Sequence, residues 1–303
     1  MRGDRRQPAA LAGAAARLAI TLVLLAAACA AIGVAVAGGL GAVIAVVIAV
    51  ALVAAAYANG DRMALSAMAA RPVSEVEHPD LYRLVRELSK AGRLPVPRLY
   101  VSPAAQPNSF AVGAGPRSAA VCCTEGLLNE LDEAKLRGVL GHELAHCSSP
   151  DILASTVAAG LATVITFPAG LGRLLPGRAG TGPRALAPDG SPGLGPAESI
   201  LMLVLGPIAA VVIRLSVSGS REYRADAAGA QLAGDPVALA SALRTIDARA
   251  EELALAPDGR LTSVGHLMIA CPFRAEGFAR LFLTQPPAGE RIRRLEALAG
   301  YRR

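Results

Sequence analysis

No charged residue occurs between Leu18 and Gly60. At 1.5 Å per residue such a run makes roughly 65 Å of helix, about twice the ~30 Å hydrocarbon core of a bilayer. Gly38 and Gly39 fall near its middle, where a tight reversal fits, so the run predicts a membrane hairpin with arms over about 18–37 and 40–58. A cleaved leader is a poorer reading, because its apolar core spans only about 7–15 residues. "LLAAACA" before Cys29 resembles a lipoprotein signal loosely, but Ala26 stands where a larger aliphatic is wanted and the chain stays apolar beyond it. Arg2, Arg5, Arg6 and Arg17 precede the run, Arg62 and Arg71 follow it, and the connector carries no charge. The positive-inside rule then puts both ends of the hairpin in the cytoplasm.

Two further uncharged runs, Ile152 to Gly172 and Ser199 to Ile213, suggest a second hairpin. The competing reading is a pair of buried core helices, since the later run is shorter than a usual span. Between the two lies a Gly/Pro-rich stretch, 173–198, expected to be loop. The organisation that follows is a transmembrane hairpin over 1–60 and a first half of a cytosolic domain over 61–150. The second apolar hairpin takes 151–220, and the other half of the cytosolic domain takes 221–303.

Composition narrows the class. Hydrophobic residues make up 53% of the 303, while aromatics are only 3%, so the apolar mass is Ala, Leu and Val. That favours a mainly helical membrane protein over a large sheet sandwich. The formal charge of +6 is not arranged as a basic stripe interleaved with aromatics, which argues against a nucleic-acid partner. Five cysteines without C-x-x-C spacing exclude a disulfide framework or a cysteine-zinc knuckle and fit reduced thiols. Cys147 follows a histidine of the motif below, but on a helix it points about 100° away from it.

Two of the four histidines stand in "GHELAH", residues 141–146. The stretch "NELDEAKLRGVLGHELAH" reads as one helix with Leu136, Val139, Leu140 and Leu144 on an apolar face. His142 and His146, at i and i+4, then share a side of the helix, one turn apart, as two ligands of one zinc ion require. Glu143 is turned away from that face and serves better as the general base for a metal-activated water. A chance match of this pattern is on the order of 0.2% for a chain this poor in histidine. The helix alone leaves the third ligand open. His78 precedes Pro79 and reads as a helix start, while His266 lies in the apolar "SVGHLMIACPF". Glu222 in "SREYRAD" is the better candidate, with Asp226 one turn on to steady a ligand imidazole. A solvated face neutralised by Arg221 and Arg224 is the alternative.

Taken in order, "EHPDLYRLVREL", "PVPRLYV", "PNSFAVG", "TEGLL", "GHELAH", "SREYRAD" and "LTQPPAGERIRRLEAL" resemble the HtpX-type membrane zinc metalloproteases, relatives of the CAAX prenyl proteases. The resemblance covers about 72–296. It implies a zincin-like α+β domain with a small sheet, built around two transmembrane hairpins. It also implies one zinc per chain held by His142, His146 and Glu222, with Glu143 as base and Asp226 as the supporting acid. The implied role is endoproteolysis of misfolded or damaged membrane proteins on the cytoplasmic face of the cell membrane.

Two departures from the family pattern stand out. Asn108, Ser109, Phe110 and Ala111 replace the usual Asn-Ala-Phe-Ala. They read as an edge strand that an extended peptide could join through main-chain hydrogen bonds. Gln285 replaces a histidine which, with an arginine matching Arg291, is a candidate for steadying the oxyanion. Gln285 can donate a hydrogen bond but carries no charge. Arg291 has a plainer alternative, pairing with Glu290 or joining a solvated basic face. Rival functions are an antibiotic-sensor type signalling peptidase, a CAAX prenyl-protein protease, and a non-catalytic membrane scaffold that keeps the motif.

Overall fold

The computed structural model describes residues 6–170, 196–257, 259–274, 277–282 and 284–300. Most of the 173–198 stretch expected as loop lies outside these; only 196–198 are described, and they begin a helix.

Helix α1, Arg6–Ala67, is broken at Ala37 (φ −143°, ψ 28°) and Gly38 (φ 61°, ψ −148°). Gly38 adopts the left-handed φ that only glycine takes without strain. The two arms fold back on each other so closely that a Cβ on Gly33 would sit 2.4 Å from the Gly41 carbonyl oxygen. The reversal thus falls where the glycine pair predicts it. Val23, Leu24, Ile32, Val43 and Val47 remain exposed, as suits a hairpin whose outer face meets lipid rather than protein.

The second arm runs on into the protein. Its last turns, through Leu65 and Met68, cover one face of a four-stranded sheet. That sheet has the order β1 (Arg71–Pro72), β2 (Arg98–Ser102), β4 (Ala120–Thr124), β3 (Ser109–Val112). β2 and β4 are parallel, and both outer pairs are antiparallel. β3 is therefore an edge strand, as expected. The other face packs on α2 (Pro79–Gly92), α4 (Glu133–Ser148) and α8 (Pro236–Glu252) through Leu84, Leu88, Val101, Val139, Leu140 and Leu243. α2 starts at Pro79 with His78 as its N-cap residue, the place the sequence assigns it. The described residues are mostly helical with this one small mixed sheet.

The helix carrying the two histidines starts later than its pattern suggests. Glu125–Glu130 forms a separate short α3, Leu131 is extended, and Asp132 caps α4 by accepting from the Lys135 amide. From Gly138 to Leu144 every residue of α4 is buried, so this stretch is a core helix enclosed on all sides, not an amphipathic one.

Among the described residues, two helices are long and apolar enough to cross a membrane, Ala12–Ala67 and Asp151–Ala169, and the bent pair Ile200–Ser216 with Ser220–Ala233 is so when taken together. The two single helices differ in surroundings: the apolar window of the first is 6% buried and that of α5 (Asp151–Gly170) is 67% buried. α5 is wrapped by α1, α6 (Pro196–Ser216) and α9 (Gly259–Val264), with Thr166 donating to the Gly259 carbonyl at 2.6 Å. The second apolar pair is thus partly core, while α6 keeps Ile200, Leu203 and Val204 outward. Beyond α6 the chain bends by 55° into α7 (Ser220–Ala233), and α10 (Ala288–Leu298) closes the domain.

Candidate metal centre

α4 and α7 cross with almost nothing between them. A Cβ on Gly229 would lie 2.5 Å from the His142 amide nitrogen, and one on Gly141 would lie 2.7 Å from the Gly229 carbonyl oxygen. Backbone-to-backbone contact of this kind brings the short Glu222 side chain of α7 to the imidazoles of α4. Among the described residues, His142, His146 and Glu222 form the one group of three that could hold a metal ion. The Nε2 atoms of His142 and His146 are 3.1 Å apart, and the Glu222 oxygens lie 3.5 Å and 3.6 Å from them. Ligands at the bond lengths of a tetrahedral zinc site stand about 3.3–3.4 Å from one another. Glu222 Oε2 is moreover buried without a hydrogen-bond partner, a costly state for a carboxylate oxygen unless a cation takes it. The residues fit a metal.

The surroundings fix these side chains. Asp226 Oδ1 approaches His142 Nδ1 to 2.9 Å. Arg291 grips Asp226 with two donors, Nε at 2.8 Å and Nη2 at 2.7 Å. Its third nitrogen, Nη1, donates to the Ile269 carbonyl at 2.5 Å. Neither alternative for Arg291 holds: it is 2% exposed, and Glu290 bonds Arg293 and Arg294 instead. Each of the three guanidinium nitrogens of Arg291 thus makes a hydrogen bond, to Asp226 or to the Ile269 carbonyl. Arg221 is buried too, donating to Glu222 Oε1 at 3.0 Å, while Arg224 pairs with Asp151. The solvated face the sequence allowed around Glu222 is therefore absent.

Glu143 lies beside the cluster, 1% exposed. Ser109 donates to its Oε1 at 2.6 Å, and Oε2 has no partner. Burial pushes the Glu143 carboxyl up to about 7, against the downward pull of neighbouring His142 and of the Ser109 bond. Motif reading gave no hint of the Ser109 contact. The available signal was a hydroxyl in a strand alternating toward α4, where a core hydroxyl requires a partner.

The remaining expected residues are placed elsewhere. Gln285 donates to the Met268 carbonyl, and Asn108 donates to the Ala270 carbonyl at 3.0 Å. His266 is buried within its apolar stretch, with Nε2 3.2 Å from the Ser155 carbonyl, and burial lowers it to about 3. Cys147 is buried and free, and burial pushes its thiol up. The β3 edge expected to take a peptide is already engaged at two positions: Phe110 bridges to Met268, and the Ile269 amide donates to the Ser109 carbonyl at 2.9 Å.

The chain matches peptidase family M48 over residues 75–299. It is 54% identical over 250 residues to a "Protease HtpX homolog" of Kineococcus radiotolerans, covering 82% of this chain and 83% of that protein. It is 50% identical over 247 residues to one from Paenarthrobacter aurescens, covering 82% of each. A relative carrying the same description, from Pelotomaculum thermopropionicum, is 41% identical over 245 residues, covering 80% of this chain and 84% of that protein. No solved structure matches. With a buried His-His-Glu cluster beside a glutamate and an exposed apolar hairpin, the chain belongs to peptidase family M48, as a membrane metalloendopeptidase of the HtpX type.

Proposed function

We propose that the chain binds one zinc ion through His142, His146 and Glu222 and cleaves misfolded or damaged membrane proteins at the cytoplasmic face of the cell membrane. The observation that carries the reading is the set of ligand separations, 3.1, 3.5 and 3.6 Å, beside a buried glutamate with one free oxygen. The chemistry such an ion supplies when bound is Lewis-acid polarisation of the scissile carbonyl and acidification of a water. Glu143 accepts the proton of the attacking water at Oε2, the oxygen Ser109 leaves free, and returns it to the departing amine. Asp226 holds the His142 ring and Arg291 holds Asp226, so the ligand face of α4 is pre-set.

Support for the orientation comes from the arginines flanking the first hairpin and from its uncharged turn. The exposed apolar residues of α6 favour the second pair standing at least partly in the bilayer. Substrates drawn from the same membrane fit an enzyme anchored this way.

The test is purified Glu143→Gln in detergent. Zinc should stay at one ion per chain while cleavage of casein and of an unfolded membrane protein falls about 10²–10⁴-fold, the range for a lost general base. Cleavage at the wild-type rate would remove the base assignment. A wild-type protein that holds zinc but cuts neither substrate would point to a scaffold.

A further inference from the structure

The metal centre as it stands is shut. His142, Glu143, His146 and Glu222 are all buried, with His146 at 8% the most exposed. No polypeptide reaches such a site unless something moves. The segment beside it, Gly265–Ala270, is neither helix nor ladder apart from a single turn of 3-10 helix at Gly265–Leu267. It lies antiparallel along the free edge of β3, through the Phe110–Met268 bridge and the Ile269 amide on the Ser109 carbonyl. An irregular buried backbone must have its polar groups satisfied from elsewhere, and here long-range side chains do this. Arg221 donates to the His266 carbonyl at 2.5 Å, Gln285 to that of Met268, Arg291 to that of Ile269, and Asn108 to that of Ala270.

Two of these anchors, and Ser109 whose carbonyl accepts from Ile269, also touch the side chains of the metal centre. Ser109 bonds Glu143, Arg221 bonds Glu222, and Arg291 bonds Asp226. The segment therefore lies where an extended substrate would have to run: on the edge strand, one residue away from the base and from a metal ligand.

We propose that Gly265–Ala270 is a strap occupying the substrate's place, and that the structure is a closed, latent form which opens when the strap leaves the β3 edge. This rests on the proteolytic reading of the site and adds a step before it. An arriving chain replaces the strap's bonds to β3 with its own main-chain bonds, so opening and substrate binding are the same exchange. Gln285 then acts as a strap anchor, as a neutral donor to a neutral carbonyl, and needs no charge to do so.

The test locks the strap. Phe110 and Met268 are directly opposed, so Phe110→Cys with Met268→Cys allows a disulfide across the contact. The pair is carried in a Cys122→Ala background, because Cys122 stands opposite Phe110 on β4, and the bridge is identified by mass spectrometry. Binding of fluorescein-labelled unfolded casein is measured with Glu143→Gln added, so that the readout does not depend on cleavage. Cleavage is measured separately with Glu143 intact.

The oxidised form should lose binding and cleavage by at least about tenfold, because the bridge removes the open population, and reductant should restore both. Zinc content should be equal in the two forms. Casein bound equally well by oxidised and reduced protein would overturn the strap, whereas absent cleavage with intact, redox-sensitive binding would overturn only the proteolytic reading.

A second measurement needs neither cysteine nor ligand. In the wild-type protein the Ile269 amide should exchange with deuterium faster than the β4 amides, through local opening. Exchange as slow as that of β4 would show a fixed core loop and would equally overturn the proposal.

Discussion

Gly229 and Gly141 touch backbone to backbone, and this contact, more than any side chain, builds the metal centre. A Cβ at Gly229 would lie 2.5 Å from the His142 amide nitrogen and 2.6 Å from its Cα, closer than atoms can approach. Gly229→Ala therefore has to push α7 away from α4 and carry Glu222 with it. Overpacking of this kind costs about 1–3 kcal/mol, and the displaced carboxylate weakens metal binding as well. The expected outcome is a lower melting temperature together with substoichiometric zinc in the purified protein. Gly234→Ala, at the end of the same helix with open space around it, should keep its zinc, although its left-handed φ of 80° costs some stability.

The chain of contacts Arg291–Asp226–His142 makes a separate prediction. Asp226 keeps its charge because Arg291 and His142 face it, in spite of burial that acts to raise its pKa. Asp226→Asn keeps the shape but loses the charge and leaves the buried Arg291 guanidinium with only the more distant Glu222 Oε2, at 3.7 Å, to offset it, a loss of up to about 3–5 kcal/mol. Arg291→Lys retains a charge but cannot reproduce the two-pronged grip. Zinc affinity measured by chelator competition should fall about 10–100-fold in either variant, the usual loss when the partner of a ligand imidazole is removed. An unchanged affinity in both would mean the contacts serve the fold alone.

What the chain revealed in advance follows the range of the interactions involved. His142, Glu143 and His146 are neighbours on one helix, so their arrangement is local and readable from spacing. Glu222 comes to them only through the crossing of two helices, so spacing alone leaves it one of several candidates and only the run of family motifs singles it out. The start of α4 at Glu133 was obscured by Leu131, whose apolar character continues the helical pattern although its backbone is extended. An apolar run such as 152–172 reads the same whether lipid or protein surrounds it, which is why the sequence leaves a membrane hairpin and buried core helices both open there. The Gly265–Ala270 segment has no period at all, and its bonds link positions such as Asn108 and Ala270, 162 residues apart.

Removal of the metal should loosen the whole domain rather than the site alone. Glu143, Glu222 and Asp226 are buried close together, and without a metal ion their charge is left to Arg221, Arg291 and the ligand imidazoles to offset. A ligand that binds only the folded state, present at about 1,000 times its dissociation constant, stabilises by about 4 kcal/mol. Chelator should therefore lower the melting temperature, and added zinc should restore it. In Glu222→Ala the melting temperature should no longer respond to either addition. A wild-type protein equally indifferent to chelator would show that the cluster holds no ion.

Ser109→Ala restores the residue usual at this place in the resembling family and tests what the hydroxyl adds. In the proposed mechanism Glu143 accepts a proton and must be ionised to do so, so activity is expected to be lost as the pH falls through its pKa. Burial pushes that pKa up, and the Ser109 hydrogen bond, which favours the ionised form, pulls it down. Deleting the hydroxyl removes the downward pull, so the pKa rises and the acidic limb of the kcat–pH profile moves to higher pH. A charge-assisted hydrogen bond is worth about 1.5–3 kcal/mol and one pKa unit is 1.36 kcal/mol, so a displacement of about one unit or somewhat more is expected. Activity near pH 6 should drop severalfold, while the plateau at higher pH and the zinc content change little. Ser109→Thr keeps an oxygen in reach on a strand that tolerates β-branching, and it should return the limb toward its wild-type position. A limb that stays fixed in Ser109→Ala would mean that the hydroxyl merely satisfies its own burial and leaves the base untouched.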